Sequence, residues 1–225
     1  MTEWLERHMP KFVMAPSFVA ILIFVYGFIG WTAWVSFTKS RLLPKYDIVG
    51  TIQYDRLFQS PRWETAINNL YVFGILFIVI SMCLGLILAI FLDQKIRVEG
   101  VIRTIYLYPM ALSMIVTGTA WKWILNPGLG IEATVRKWGY ENFTFDWLVN
   151  PDMSIYTVVL AGVWQSSGFV MALFLAGLRS VDEEIIKAAQ VDGIPTWRIY
   201  SAIIIPSMAP IFLSAFIVLS HLAIK

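Results

Sequence analysis

The stretch from Arg179 to Pro206 reads RSVDEEIIKAAQVDGIPTWRIYSAIIIP, a charged segment between two apolar ones. Asp182 can cap a helix that opens with Glu183 and Glu184, whose charges suit the positive end of the helix dipole. Ile185, Ile186, Lys187, Ala188, Ala189 and Val191 follow, and Asp192-Gly193 supplies the stop, since glycine adopts positive φ without penalty. Pro195 is placed to open a second helix running through Trp197 and Tyr200, because its missing N–H costs nothing there. On this reading alone the segment is a capped helix joining two apolar runs. A second cluster lies upstream, where Trp164, Gln165, Ser166, Ser167 and Phe169 set aromatic and hydrogen-bonding groups inside an apolar run. Ser220 and His221 are a weaker pair of the same kind. Such groups either line a polar path or join one membrane helix to another.

Enzyme chemistry has nothing to work with. No His, Cys and carboxylate constellation or nucleophile elbow occurs, and no G-x-x-x-x-G-K-[ST] loop is present to hold a nucleotide. No catalytic residue and no metal ligand set is therefore assigned. The single cysteine, Cys83, can build neither a disulfide framework nor a metal cluster, and it is expected to be a packed, inert thiol. A net charge of +2, from 17 basic and 15 acidic residues, argues against nucleic acid as a partner.

These clusters sit within a chain of 225 residues that is 58% hydrophobic and 14% charged. Soluble domains carry about 25% charged residues. Uncharged runs occupy residues 12–38, 65–92, 104–121, 153–178 and 199–224, over half the chain. About 20 apolar residues at 1.5 Å rise cross a hydrocarbon core of ~30 Å, so each run is a candidate span or nearly so. A transmembrane barrel would alternate apolar and polar residues, and runs such as IFVYGFIG do not. The expectation is an all-α integral membrane protein with about five helices over 12–38, 65–92, 104–125, 153–178 and 201–224. They follow a short N-terminal segment (1–11), and a loop at 39–64 separates the first from a domain at 65–225.

The first run is too long for a signal-peptide core and no small-residue cleavage site follows it, so it is read as a retained span. Aromatic residues of the first and third loops, among them Trp63, Trp138 and Trp147, suit a headgroup region. Lys and Arg counts nearly tie. Eight lie with the N-terminus and the second and fourth loops (Arg7, Lys11, Lys95, Arg97, Arg103, Arg179, Lys187 and Arg198), against seven on the other side. The denser side is weakly favoured as cytoplasmic. No acidic residue falls inside a run, which argues against coupling to protons or sodium, since such carriers place carboxylates in the membrane.

The 179–206 segment resembles the EAA loop of permease subunits of binding-protein-dependent ABC importers. Lys187-Ala188-Ala189 stands at the triplet, Asp192-Gly193 at the turn and Ile203-Ile204-Ile205-Pro206 at the closing element. Lys187 replaces the family's Glu, and Ile205 its Leu. Trp147-Leu-Val-Asn150-Pro151, Trp164 and Ala176-Gly-Leu178 extend the likeness to the sugar-type branch. It is specific over residues 65–225.

The resemblance implies a type I importer permease fold whose 179–200 loop is cytoplasmic and docks on an ATPase, with the N-terminus inside the cell (inner) membrane. Glu184, Lys187, Ala188, Ala189, Asp192, Gly193 and Pro206 would carry that coupling. Trp164, Gln165, Ser166, Phe169, Ser220 and His221 would line a sugar path. The implied partners are a second permease subunit, an ATPase dimer that binds ATP and Mg in place of any cofactor in this chain, an extracytoplasmic solute-binding protein and the lipid bilayer. Family members continue to a further span, so a chain ending at Lys225 is expected to be a truncated form. Pro206 and Pro210 are expected to bend the fifth span, as a hinge or as ordinary membrane-helix prolines.

Overall fold

A computed structural model describes residues 2–41, 45–94 and 96–225, which leaves Lys95 of the charge count outside the described residues. The chain forms two compact units, Met1–Ala66 and Ile67–Lys225. In the first, α1 (Thr2–Ile21) runs through a π turn at Leu22–Tyr26 into α2 (Gly27–Ser36). Its apolar portion, Lys11–Ser36, buries none of its most apolar window within the chain, so lipid or another subunit must cover it. Beyond it, Thr38 bridges to Ile48, and Trp34 stacks on Tyr46 at 5.6 Å. The short α3 (Ile52–Phe58) follows.

The second unit is built on two long helices. α4 (Pro61–Asp93) begins before the unit boundary and has 33 residues, about 50 Å at 1.5 Å per residue, so it outreaches the hydrocarbon core. α8 (Ser154–Leu178) is the central element. Its Val170, Met171 and Phe174 are fully buried and meet Phe77, Ala89 and Leu92 of α4 in one core. Gly85 of α4 makes this approach possible, because a Cβ there would lie 2.6 Å from Val170 Cγ1, and Gly168 of α8 admits the following segment, because a Cβ there would lie 1.8 Å from the Tyr106 carbonyl oxygen.

Between them the chain departs from the expected continuous helix over 104–125. α5 (Glu99–Leu107) tightens into a 3₁₀ turn at Tyr108–Ala111, then the axis swings by 102° before α6 (Met114–Ile124). Pro109 cannot donate to the carbonyl four residues back, and Leu112 and Ser113 are extended, with ψ of 144° and 140°. α7 (Ile131–Lys137) then orders the third loop, where Glu132 accepts from the Phe145 backbone N–H at 3.0 Å and pairs with Arg136 at 2.8 Å.

After α8 come α9 (Glu183–Val191), α10 (Thr196–Ile199), a π turn at Tyr200–Ile204, α11 (Ile205–Ser207) and α12 (Ala209–Ile224). The expected bend is present. It measures 66° and falls at Met208, between Pro206 and Pro210. The widened turn before Pro206 has the same origin, since that proline can neither donate to Ala202 nor tolerate its carbonyl at normal helical spacing. Among the described residues three helices are thus long and apolar enough to cross a membrane, and up to five spans result if each bent pair counts as one. Cys83, expected to be packed, lies exposed on α4, on a face the second unit leaves uncovered.

Candidate functional site

The loop at 179–200 is fixed by local chemistry at each turn. Asp182 caps α9, its Oδ1 accepting from the Glu184 N–H at 2.9 Å. At the other end Gly193 has φ of 75°, its N–H donates to Gln190 and that of Ile194 to Ala189. This pair of bonds is a Schellman stop, with Asp192 as the C-cap after Val191. Ile194 turns back onto the core, completing the apolar contact the motif favours.

α9 presents two faces. Ala189 and Ile186 pack inward, whereas Glu184, Ile185, Lys187, Ala188 and Val191 are exposed. Ala189 is therefore consumed in seating the helix on its own bundle, and Ala188 is the small residue left on the open side. Lys187 pairs with Glu183 at 2.7 Å, and that hydrogen bond raises its pKa above the ordinary lysine value. The opposite charge at the triplet position thus finds its partner inside the same helix.

The loop's two ends meet at a polar cluster. Arg179 closes α8, with Nη2 2.8 Å from Glu99, Nε 4.0 Å from Asp93 and a bond to the Leu92 carbonyl at 3.3 Å. Tyr200 donates its hydroxyl to Asp93 and accepts from the Gln94 amide at 3.1 Å. The hydrogen bond with Glu99 pushes the Arg179 guanidinium above its already high pKa, so it is charged at every accessible pH. Asp93, Gln94 and Glu99 were not among the residues singled out from sequence. The available signal was weak: Asp93 carries a negative charge at a helix C-terminus, against the dipole.

Deeper in the bundle is a cavity of about 350 Å³. Gln165, Ser166 and Phe169 of α8 line it together with Phe73 and Phe77, which stack at 5.2 Å. Met110 and Met114 on either side of the 102° break, Gly162, Val218 and Leu222 complete the wall. Trp164 points elsewhere and meets Trp121 edge-on at 5.8 Å. Ser220 is half-buried and His221 exposed, and neither lines the cavity.

Gln165 also joins two elements, its amide donating to the Leu112 carbonyl at 3.2 Å. That carbonyl belongs to the break, and a backbone group freed from helix inside a membrane needs such a partner. Phe73, Phe77, Met110 and Met114 escaped the sequence reading, although Phe73 and Phe77 have the i, i+4 spacing of one helix face. Among the described residues, no group of three or more His, Cys, Asp or Glu side chains is placed to hold a metal ion.

Residues 81–225 match the family model described as the binding-protein-dependent transport system inner membrane component. A probable ABC transporter permease protein of Pyrococcus horikoshii is 39% identical over 214 residues, which cover 94% of this chain and 73% of that protein. The xylose/arabinose import permease protein of Haloferax volcanii is 38% identical over 92% of this chain and 66% of its own length. This chain thus spans about two thirds to three quarters of these relatives.

Among solved structures, a bacterial ABC transporter that imports the acidic polysaccharide alginate has the same fold. Its TM-score is 0.80, at 20% identity, over 97% of this chain and 75% of that one. A similar likeness is to the alginate transporter in complex with an alginate pentasaccharide-bound periplasmic protein. Components of this type are not themselves enzymes, and ATP hydrolysis resides in separate subunits. The chain belongs to the family of inner-membrane permease components of binding-protein-dependent ABC importers.

Proposed function

We propose that this chain forms half of a sugar translocation path, the other half coming from a second permease subunit, and that α9 docks into a groove on an ATPase dimer holding ATP and Mg. A solute-binding protein delivers the sugar from the extracytoplasmic side. The N-terminus and the 179–200 loop face the cytoplasm. The observation that carries the reading is the cavity, whose wall combines the Phe73 and Phe77 rings with Gln165 and Ser166. Aromatic faces and hydrogen-bonding side chains together suit a polyhydroxylated solute. Relatives that import xylose or arabinose, trehalose and glucose support the sugar class.

The test is uptake into proteoliposomes carrying the whole complex, with xylose, arabinose, glucose and trehalose offered in turn beside a non-sugar control. ATP-dependent uptake of one of these sugars is expected. Uptake driven by an ion gradient without ATP would overturn the assignment, and ATP-dependent uptake confined to the control would replace the solute class. Orientation has its own check. With Cys83 replaced, cysteines at Thr144 and Gln190 should react differently with an impermeant thiol reagent added from outside, and equal labelling would refute the topology.

A further inference from the structure

The 179–200 loop begins at Arg179 and ends at Tyr200, and both residues converge on one carboxylate of a different helix, Asp93 at the end of α4. Arg179 is held in place by Glu99 at 2.8 Å and the Leu92 carbonyl at 3.3 Å, and Tyr200 by Gln94 at 3.1 Å. Each of the three central residues is flanked by a buried apolar neighbour: Leu92 before Asp93, Leu178 before Arg179 and Ile199 before Tyr200. The polar cluster therefore caps a packed apolar layer.

Apolar packing is non-directional and lets helices slide. Hydrogen bonds and ion pairs depend on distance and angle, so they resist relative displacement. Asp93 is also poorly placed for its own helix, because the α4 C-terminus disfavours negative charge. Arg179 and the Tyr200 hydroxyl offset that cost, so the carboxylate is matched to the loop and not to α4.

We propose that Asp93 is a positioning residue that clamps both ends of the 179–200 loop to α4, so that a displacement of α9 is delivered to α4 as a rigid-body movement. The proposal rests on the reading of α9 as the ATPase-docking helix. Breaking the clamp leaves α9 free to follow the ATPases while α4 stays behind.

The experiment uses the complete complex in lipid nanodiscs, with Cys83 replaced and spin labels at Gln190 on α9 and Ile87 on α4, both exposed positions. Their separation is measured with and without ATP and vanadate, and the trapped nucleotide is assayed on the same samples. In the parent complex the separation should stay within about 2 Å on trapping, the size of an ordinary helix shift. In Asp93→Asn it should change by more than that, while Asp93→Glu restores the parent behaviour. A residue important only for stability would lower the yield of complex without altering this distance.

Should Asp93→Asn fail to assemble, Tyr200→Phe and Arg179→Gln decide the matter by the same criterion. An unchanged separation in the variants, or a large change in the parent despite trapped nucleotide, overturns the clamp alone. A parent complex that traps no nucleotide overturns the coupling reading and the clamp together.

Discussion

The Tyr200 hydroxyl donates to Asp93 Oδ2 at 2.5 Å, across 107 positions of sequence. Tyr200→Phe keeps the ring and removes both this bond and the acceptor used by Gln94. A hydrogen bond to a charged group contributes about 1.5–3 kcal/mol, and partial exposure of the cluster points to the lower end. Unfolding of the purified subunit in mixed micelles should show that loss. A variant as stable as the parent would make the contact incidental.

Gly193 holds φ of 75° with open space where a Cβ would stand, so the backbone angle alone decides what is tolerated. The left-handed conformation costs an ordinary residue about 1–2 kcal/mol, and more for a β-branched one. Gly193→Val should therefore lose ATP-dependent uptake, while Gly193→Asn keeps most of it. Uptake and ATPase co-purification, measured together, check this; normal uptake by the valine variant contradicts it.

Gly168→Ala is a steric test of a different kind. The added methyl would lie 1.8 Å from the Tyr106 carbonyl oxygen, a backbone atom that cannot swing aside. Separating α5 from α8 should cost on the order of 3 kcal/mol or more, seen as a drop in folded yield. Gly162→Ala, whose Cβ would sit 3.3 Å from the Phe77 ring, should be milder.

Lys187 and Glu183 are both exposed, and exposed pairs contribute little to stability. Lys187→Ala should leave the unfolding midpoint unchanged. Because Glu183 raises the lysine's pKa, whatever the pair contributes is complete below the ordinary lysine value of about 10.4 and fades only as pH rises through the higher folded-state value. Stability scans from about pH 6 to pH 9 should therefore superimpose for parent and variant; divergence within that window would show a different partner for this charge.

Gln165→Leu removes the donor to Leu112 and one polar group of the cavity. An interhelical bond of this kind contributes about 0.6 kcal/mol on average in membranes, so the complex should still assemble with slightly reduced stability. Sugar uptake per assembled complex should fall well beyond that loss. Lower assembly with unchanged uptake per complex would assign Gln165 to the break alone.

The parts legible in the sequence are those set by neighbours along the chain. Asp182 and Gly193 could be read as cap and stop because their partners lie within three residues, at Glu184 and Gln190. Pro206 and Pro210 located the bend for the same reason. Pro109 offered an equal signal, but it lies inside an uncharged run, where hydropathy suggests continuity and hides the break. Asp93, Arg179 and Tyr200 were out of reach: each is an ordinary loop-edge residue until folding brings them together. Trp164 and Gln165 were adjacent and polar enough to be grouped, yet a helix turns 100° per residue, and only Gln165 reaches the cavity.

The bond from Gln165 to Leu112 spans 53 positions, and that separation imposes an order on synthesis. At 5–20 residues per second the ribosome takes roughly 3–11 s to make the donor after the acceptor. Until then the bent 99–124 segment lacks both this partner and the α8 face that Gly168 brings against Tyr106, so its break stays uncovered among lipid tails. The nascent segment is expected to wait in the insertion machinery or at the bilayer surface until α8 emerges, so membrane integration of the second unit should be one late concerted event and not a series of independent helix insertions.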